Sequence, residues 1–407
     1  MKLLIEHQCP QCGAPAILEE TERLFTCSFC RVKSYLTRSD YFRYLLPHHA
    51  PENADLIYVP YWRYKGTLFS ATQAGVRHRC IDVSHQALEL ATLPISVGLR
   101  TQALKMKFVT PAASGGFIEP RLAHGQVVKT FQEQFHKSLP RPVFHQAYVG
   151  DALSLIYAPF YEKGRFYDAV LNQPLPTSAG HETPLGRLPS VKSHWPLHFL
   201  PALCPSCGWD LAGERDTLAL ACRNCDSMWQ ATADGFKEIN FATLKSASRD
   251  GLRYFPFWRI AARVSGVALS SYADLARLAN LPVAMQPDWQ HRAFRFWSPA
   301  FSLRPKTFLR AATQATLAPP RDNFTRSLPH GEVAPVTLPV AEALDSLKII
   351  LAGFAKPARR LLPRLSDILI DPQRYLLVYL PFETGRLEFI QPDLNLVINR
   401  THLQTTS

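Results

Sequence analysis

A single cysteine spacing, used twice, constrains this chain more than any other feature. Cys9-x2-Cys12 and Cys27-x2-Cys30 are fourteen residues apart, and so are Cys204-x2-Cys207 and Cys222-x2-Cys225. In a C-x2-C pair a short loop turns both sulfurs toward one ion while backbone N–H groups point at the thiolates, so two such knuckles close a tetrahedral shell. Pro10 and Gly13 in CPQCG, and Pro205 and Gly208 in CPSCG, suit the knuckle. Pro fixes φ, and Gly takes the positive φ with which the chain leaves the metal. The expected ligands are Cys9, Cys12, Cys27 and Cys30 at one site and Cys204, Cys207, Cys222 and Cys225 at the other. Two structural Zn2+ ions are expected, with iron in a rubredoxin-like site as the alternative, because both ions accept four thiolates. A closed shell leaves no position for water, so such sites fold a chain rather than catalyse.

Disulfides or a redox pair are the competing uses of these cysteines. A reducing location disfavours the first, and the repeated four-pair layout disfavours the second. No run approaches the ~18 apolar residues of a membrane-spanning helix, and after Lys2 only Leu3, Leu4 and Ile5 precede Glu6. The expected location is therefore cytoplasmic. The ninth cysteine, Cys80, follows cations in Arg77-His78-Arg79-Cys80; a small core residue is the reading preferred over a reactive thiol. With 47% hydrophobic and 19% charged residues the chain is neither disordered nor fibrous, and 407 residues suffice for two or three domains with their own cores. Its formal charge of +12 falls to about +8 once each set of four thiolates and its dication contributes −2.

The rest of the chain is also written twice. With the ribbons in register, Tyr58-Val59-Pro60-Tyr61-Trp62-Arg63 aligns with Tyr254-Phe255-Pro256-Phe257-Trp258-Arg259, and the Leu-Arg segment 98–105 with 302–309. Leu155-Ile156-Tyr157-Ala158-Pro159-Phe160 then matches Leu377-Val378-Tyr379-Leu380-Pro381-Phe382, each followed by a Gly-Arg turn. The aromatic and β-branched residues of these segments predict strands. Proline cannot donate to a ladder, so Pro60, Pro159, Pro256 and Pro381 are expected on edge strands, at strand starts or at bulges, the same irregularity recurring four times. Period-2 alternation sets Trp62 and Tyr64 on one face and Arg63 and Lys65 on the other, read as aromatic core beneath a solvated basic face.

Helical spacing is expected over 82–91, 126–137, 271–279 and 340–354, with Asp82 or Ser271 as N-caps and Gly353 and Pro357 ending the last. The fold class is β-rich α+β, internally duplicated, each half a four-cysteine zinc ribbon plus a Pro-aromatic sheet domain with short helices. The divisions are 1–38 for the first ribbon, 39–172 for its sheet domain, 173–195 as a Pro-rich linker, 196–235 for the second ribbon and 236–407 for the second sheet domain.

Walker, G-x-G-x-x-G, G-x-S-x-G and H-E-x-x-H motifs are absent, and no catalytic residue stands out. His48, His49, His78, His85, His194 and His198 would have to assemble in space to make a further site. No small-molecule substrate is expected. A protein partner is, with Trp62, Arg63, Trp258, Arg259, Arg304 and Lys306 as the candidate interaction surface. Nucleic-acid binding is the main rival. Arg292, Arg295, Arg304, Lys306 and Arg310 are interleaved with Phe294, Phe296, Trp297 and Phe308, which suits phosphate contact plus base stacking. Against it, residues 1–195 hold 21 basic and 15 acidic residues and 196–407 hold 24 and 18, so each half is +6 without a basic arm. The densest basic run, Lys356, Arg359, Arg360 and Arg364, also suits a helix end.

CPQCG, YVPYWR, GLRTQALK and IYAPFYEKGRFYDAV together resemble a group of bacterial zinc-ribbon proteins that carry Pro-Phe/Tyr-Trp strands after a ribbon. Some of these are similar to the zinc-ribbon companions of phage-shock and SPFH-type membrane-maintenance proteins. The resemblance implies metal-ligand roles for the same eight cysteines and a scaffold or adaptor role in a larger assembly. Any membrane link would then run through a partner.

Overall fold

The computed structural model describes residues 3–38, 40–98, 101, 104–175, 188–246, 251–320 and 323–403, and of Asp151 the backbone only. The first ribbon is two hairpins, β1 (Leu4–Gln8) with β2 (Pro15–Glu19) and β3 (Leu24–Thr26) with β4 (Lys33–Thr37). There follow β5 (Phe42–Leu45), β6 (Ile57–Thr72), β7 (Gly75–Gln86), β8 (Met106–Phe108), β9 (Gly116–Ile118), the helix His124–His136 and β10 (Val143–Glu162). β11 (Phe166–Asp168), β12 (Gln173–Pro174) and β13 (Ser190–Val191) complete an eleven-stranded sheet, whose main path runs β13-β9-β6-β10-β5-β8-β1-β2.

β14 (His198–Pro201) opens the second half but pairs with β4 of the first ribbon. The second ribbon continues through β15 (Ala219–Cys222), β16 (Ser227–Thr232) and β17 (Gly235–Glu238). An eight-stranded sheet then contains β18 (Phe241–Leu244), β19 (Leu252–Ser265), β20 (Phe296–Pro299), β21 (Phe324–Thr325), β22 (Glu332–Val333), β23 (Leu369–Thr384), β24 (Glu388–Gln391) and β25 (Leu396–Asn399). Helices Tyr272–Leu278, Pro305–Leu317, Val340–Asp345 and Leu347–Phe354 lie between these strands. The result is a β-rich α+β protein.

The duplication holds at the level of single hydrogen bonds. β6 and β10 pair antiparallel as β19 and β23 do, and β5 runs parallel to β10 as β18 does to β23. Ala87 N–H donates to Pro60 O at 2.9 Å, and Ala300 N–H to Pro256 O at 2.9 Å. Leu122 N–H and Leu338 N–H donate to Ala87 O and Ala300 O, each at 3.0 Å. The indole Nε1 of Trp62 donates to Leu122 O at 2.7 Å, and that of Trp258 to Leu338 O at 2.9 Å. In each half a buried tryptophan thus ties the sheet to the segment that enters a helix, at Ala123 and at Pro339.

All four prolines lie inside long strands, yet none breaks a ladder. Along its outer edge β6 pairs with β9 at Ile57 and Tyr58 and with β7 from Tyr61 onward, so Pro60 falls between two partners. Pro256 falls likewise between β22 and β20, Pro159 between β5 and β11, and Pro381 between β18 and β24. Pro60 O points outward to Ala87, and a strand residue sends its N and O to the same side. The missing N–H therefore lies on the outer side, at the gap between two partner strands. The expected irregularity does recur four times, as a change of neighbour rather than an edge strand, strand start or bulge.

Other sequence expectations are met or revised. The helix Tyr272–Leu278 has Ser271 as N-cap, whose Oγ accepts from Asp274 N–H at 3.2 Å while Asp274 Oδ2 accepts from Ser271 N–H at 3.0 Å. The helix His124–His136 also forms. The stretch 340–354 is helical but broken at Ser346, whose Oγ turns back to Ala343 O at 2.7 Å, and Gly353 lies inside the second piece. The helix expected over 82–91 is instead strand as far as Gln86, because β7 pairs with β6 from Thr72 to Tyr61 and that long-range ladder overrides local spacing. Segment 302–309, aligned from sequence with 98–105, runs into Pro305–Leu317, a thirteen-residue helix with Pro at its first turn. Its counterpart residues Leu99, Arg100, Gln102 and Ala103 lie outside the described residues.

The two halves are closely packed. Of the expected linker, residues 176–187 lie outside the described residues, while 173–174 and 190–191 are strands of the first sheet. Phe69, Ala71, Ala147 and Val149 of the first half join the core of the second, with Phe69 and Phe308 rings 5.9 Å apart. Glu342 accepts from Gly150 N–H at 2.6 Å across the same junction. Trp62→Phe and Trp258→Phe each remove the donor to a buried carbonyl, and each is expected to lower stability by about 1–3 kcal/mol in urea unfolding. Unchanged midpoints would show that the indole bonds do not anchor the helices.

Candidate metal centres

Each knuckle is built by its backbone. Cys9 N–H donates to Ala14 O and Gly13 N–H to Cys9 O, both at 2.9 Å, and Cys27 and Arg31 repeat this with Val32 O and Cys27 O at 3.0 and 3.1 Å. In the second ribbon Cys204 N–H reaches Trp209 O at 2.7 Å and Gly208 N–H reaches Cys204 O at 2.8 Å. The residue after each second cysteine has positive φ: Gly13 (73°), Arg31 (63°), Gly208 (73°) and Asp226 (57°). Glycine serves this position in one knuckle of each ribbon. A charged side chain bears it in the other.

The sulfurs of Cys9, Cys12, Cys27 and Cys30 lie within 4.8 Å of one another, as do those of Cys204, Cys207, Cys222 and Cys225. Sulfur–sulfur separations are 3.8 Å for Cys9–Cys30, 3.7 Å for Cys12–Cys27, 3.6 Å for Cys204–Cys225 and 3.5 Å for Cys207–Cys222. Disulfides need about 2.05 Å, so none is formed. A tetrahedron with metal–sulfur bonds of about 2.3 Å has edges of about 3.8 Å, so both tetrads are shaped for one ion each.

Their protonation points the same way. The Cys30 N–H, the largest influence on Cys27, helps draw that thiol down to about 6, and the Asn224 side chain with the Trp209 N–H draws Cys207 down to about 6. The Val32 N–H lowers Cys30, but burial and the other three sulfurs outweigh it and carry Cys30 up to about 11. The Ser227 hydroxyl lowers Cys225, and the same opposition carries it up to about 12. Four thiols at this distance resist shedding all their protons together. A dication at the centre removes that conflict.

The two centres differ around the sulfurs. Ser227 Oγ lies 3.1 Å from Cys225 Sγ and accepts from Trp229 Nε1 at 2.8 Å, which leaves its proton for the sulfur. By spacing from the final cysteine the first ribbon has Val32 at this place. The cysteine spacing alone did not reveal this difference; a serine two residues past Cys225 was the available signal. The ribbons also pack on each other around Leu24, Tyr35, Leu220 and Trp229. Tyr35 Oη donates to Thr217 O at 2.8 Å, and Arg215 pairs with Glu22 at 2.9 Å.

The remaining candidate residues are scattered. Trp62, Arg63 and Trp258 are buried, so they offer no surface. Arg63 is not solvated: its guanidinium meets Asp82 Oδ1 at 2.6 Å and Glu20 Oε2 at 3.8 Å. Arg259 is half-buried, while Arg304 and Lys306 are exposed at the start of the helix Pro305–Leu317. Phe294, Phe296, Trp297 and Phe308 belong to the core and cannot stack on bases. Cys80 is exposed on β7 and is not a core residue. Among the described residues no third cluster of metal-ligating side chains occurs, so the six histidines do not assemble one. A cavity of about 1050 Å³ between the halves is lined by His124 and His145 instead, and burial followed by Lys348 draws His145 down to about 4.

Fold and sites define a β-rich α+β protein with two four-cysteine clusters, each shaped to hold a metal ion. No family model, curated protein or solved structure matches the chain. No helix among the described residues is long and apolar enough to cross a membrane. Ser227→Ala is expected to weaken metal binding at the second centre about tenfold, as loss of an outer-shell partner does, and to leave the first unchanged. Competition with a chromophoric chelator measures both. Equal affinities in the variant and the parent would remove Ser227 from the site.

Proposed function

We propose that this chain is a non-enzymatic scaffold, held by two structural zinc ions, whose ribbon pair presents a binding surface to a protein partner. The observation that carries this reading is where large apolar side chains remain in solvent. Phe29 on one knuckle is 68% exposed and Trp209 beside another is 61% exposed, whereas Trp62, Trp229, Trp258 and Trp297 are buried. Trp209 is not loose: its carbonyl accepts from the ligand Cys204, directly after Gly208. A knuckle that holds its backbone in place leaves only the Trp209 side chain to be ordered on binding, which suits an interface anchor. Closed sulfur shells support a folding role for the metal, and zinc suits it because it has no redox chemistry to suppress.

A nucleic-acid role would rest on charge alone, from Arg304, Lys306 and Arg310 along one exposed helix edge. It predicts affinity for single-stranded oligonucleotides that falls steeply with salt and drops in Arg304→Ala or Lys306→Ala.

Elemental analysis of natively purified protein is expected to give two zinc ions per chain; iron would announce itself by visible absorption. Cross-linking in cells is expected to trap one recurrent protein partner, lost in Trp209→Ala with metal content and thermal midpoint retained. A partner equally well held by Trp209→Ala and Phe29→Ala would defeat the ribbon-surface reading.

A further inference from the structure

Neither ribbon is packed on itself alone. The buried cluster at the second tetrad joins Leu24 and Tyr35 of the first ribbon to Leu220, Trp229 and the ligands Cys204 and Cys222. Cys204 and Cys222 are 3% and 0% exposed, so two of the four ligands lie in a cluster that β3 and β4 help to build. In the other direction Leu197 and Phe199, on the segment that leads to Cys204, pack against the core that contains Cys9 and Cys27.

The strand β14 meets both centres at once. It sets Phe199 opposite Leu36 and Leu200 opposite Tyr35 on β4, and successive side chains of a strand face opposite ways. The Phe199 ring is stacked on His7 at 5.0 Å, on the side of the first tetrad. Leu200 packs on the other side, against the cluster of Cys204 and Cys222. Hydrogen bonds cross the same junction close to the ligands. Ala202 N–H, two positions before Cys204, donates to the carbonyl of Lys33, three positions after Cys30, at 3.1 Å. Lys33 Nζ donates in turn to Leu211 O, and Leu24 N–H to Arg215 O at 2.9 Å.

We propose that the two tetrads fill cooperatively: an ion held by either one raises the affinity of the other for its own ion, through the junction of β4 with β14. Hairpins this short are ordered by the metal they bind, so the element that each ion biases is its own ribbon, ordered or not. An ordered β4 fixes the register on which β14 pairs, and β14 leads into Cys204. An ordered second ribbon completes the cluster into which Leu24 and Tyr35 are packed. The conformational entropy of the shared segment is lost on arrival of the first ion, whichever tetrad takes it, and the second ion is spared that loss. The coupling is reciprocal, so each ion favours the other by the same factor.

The test is competition for Zn2+ between the full chain and a chromophoric chelator, in the parent and in two variants that each keep one tetrad, Cys12→Ser/Cys30→Ser and Cys207→Ser/Cys225→Ser. The overall constant for two ions in the parent is expected to exceed the product of the two single-centre constants at least about fivefold, the lower end of ordinary coupling. A smaller excess overturns the coupling and leaves both centres standing. Fewer than two tightly held ions in the parent overturns the metal role of the tetrads, on which the coupling rests, and the coupling with it. In a Lys33→Met/Tyr35→Phe background, which keeps all eight cysteines, the excess is expected to shrink at least about threefold, and a smaller decrease overturns the assignment to this junction. Should a single-centre variant fail to fold, amide exchange on the parent decides. Withdrawal of the more weakly held ion is expected to strip protection from both ribbons, and a loss confined to one ribbon overturns the proposal.

Discussion

Everything in this chain is arranged around loops too short to hold themselves, closed by four sulfurs converging on a point. The knuckles do not hang from the fold as appendages. β1, which leads into Cys9, is also a strand of the large sheet through its parallel pairing with β8. β4, which leaves Cys30, pairs with β14, which leads to Cys204. The two metal centres are therefore linked through one antiparallel pair and a small shared core. A metal–thiolate shell supplies free energy on the scale of roughly 10–16 kcal/mol in small peptides, comparable to the whole stability of a domain. Strand β14 carries the register of the first cluster's hairpin to the second cluster.

Duplication supplied the scaffold, and divergence supplied the differences. What both halves keep is geometric: the Trp indole bond ahead of a helix, the alanine N–H to the proline carbonyl, and prolines set where a strand changes neighbours. What differs is charge and cover. Arg63 is sealed by Asp82 and Glu20, while its counterpart Arg259 opens on a cavity beside Arg292 and Arg295. The extension of β6 and β10 packs on the second half through Phe69 and Val149, while on β23 Leu369 and Tyr375 stay largely exposed.

Much of this was legible in the residues. Eight cysteines in two equal spacings named the metal tetrads, and the repeated Pro-aromatic segments named the central strands. Ser271 and Asp274 announced a helix start because a capping box is local chemistry. The helix over 305–317 is signalled only by Pro305 and the apolar spacing behind it, and likeness of 302–309 to segment 98–105 says nothing of its conformation. The strand over 75–86 is hidden from local spacing because its stability lies in its pairing with β6.

The sequence by itself determined which atoms converge and which faces alternate, because ligand spacing, proline geometry and period-2 patterning act within a few residues. It could not say which face would be covered. Trp62 and Arg63 point to opposite sides of β6, and both are buried because other segments cover both sides: Leu122 comes over the indole, and Glu20 and Asp82 come to the guanidinium. Those contacts join positions far apart along the chain, so only the assembled fold decides that these side chains are interior while Phe29 and Trp209 remain in solvent.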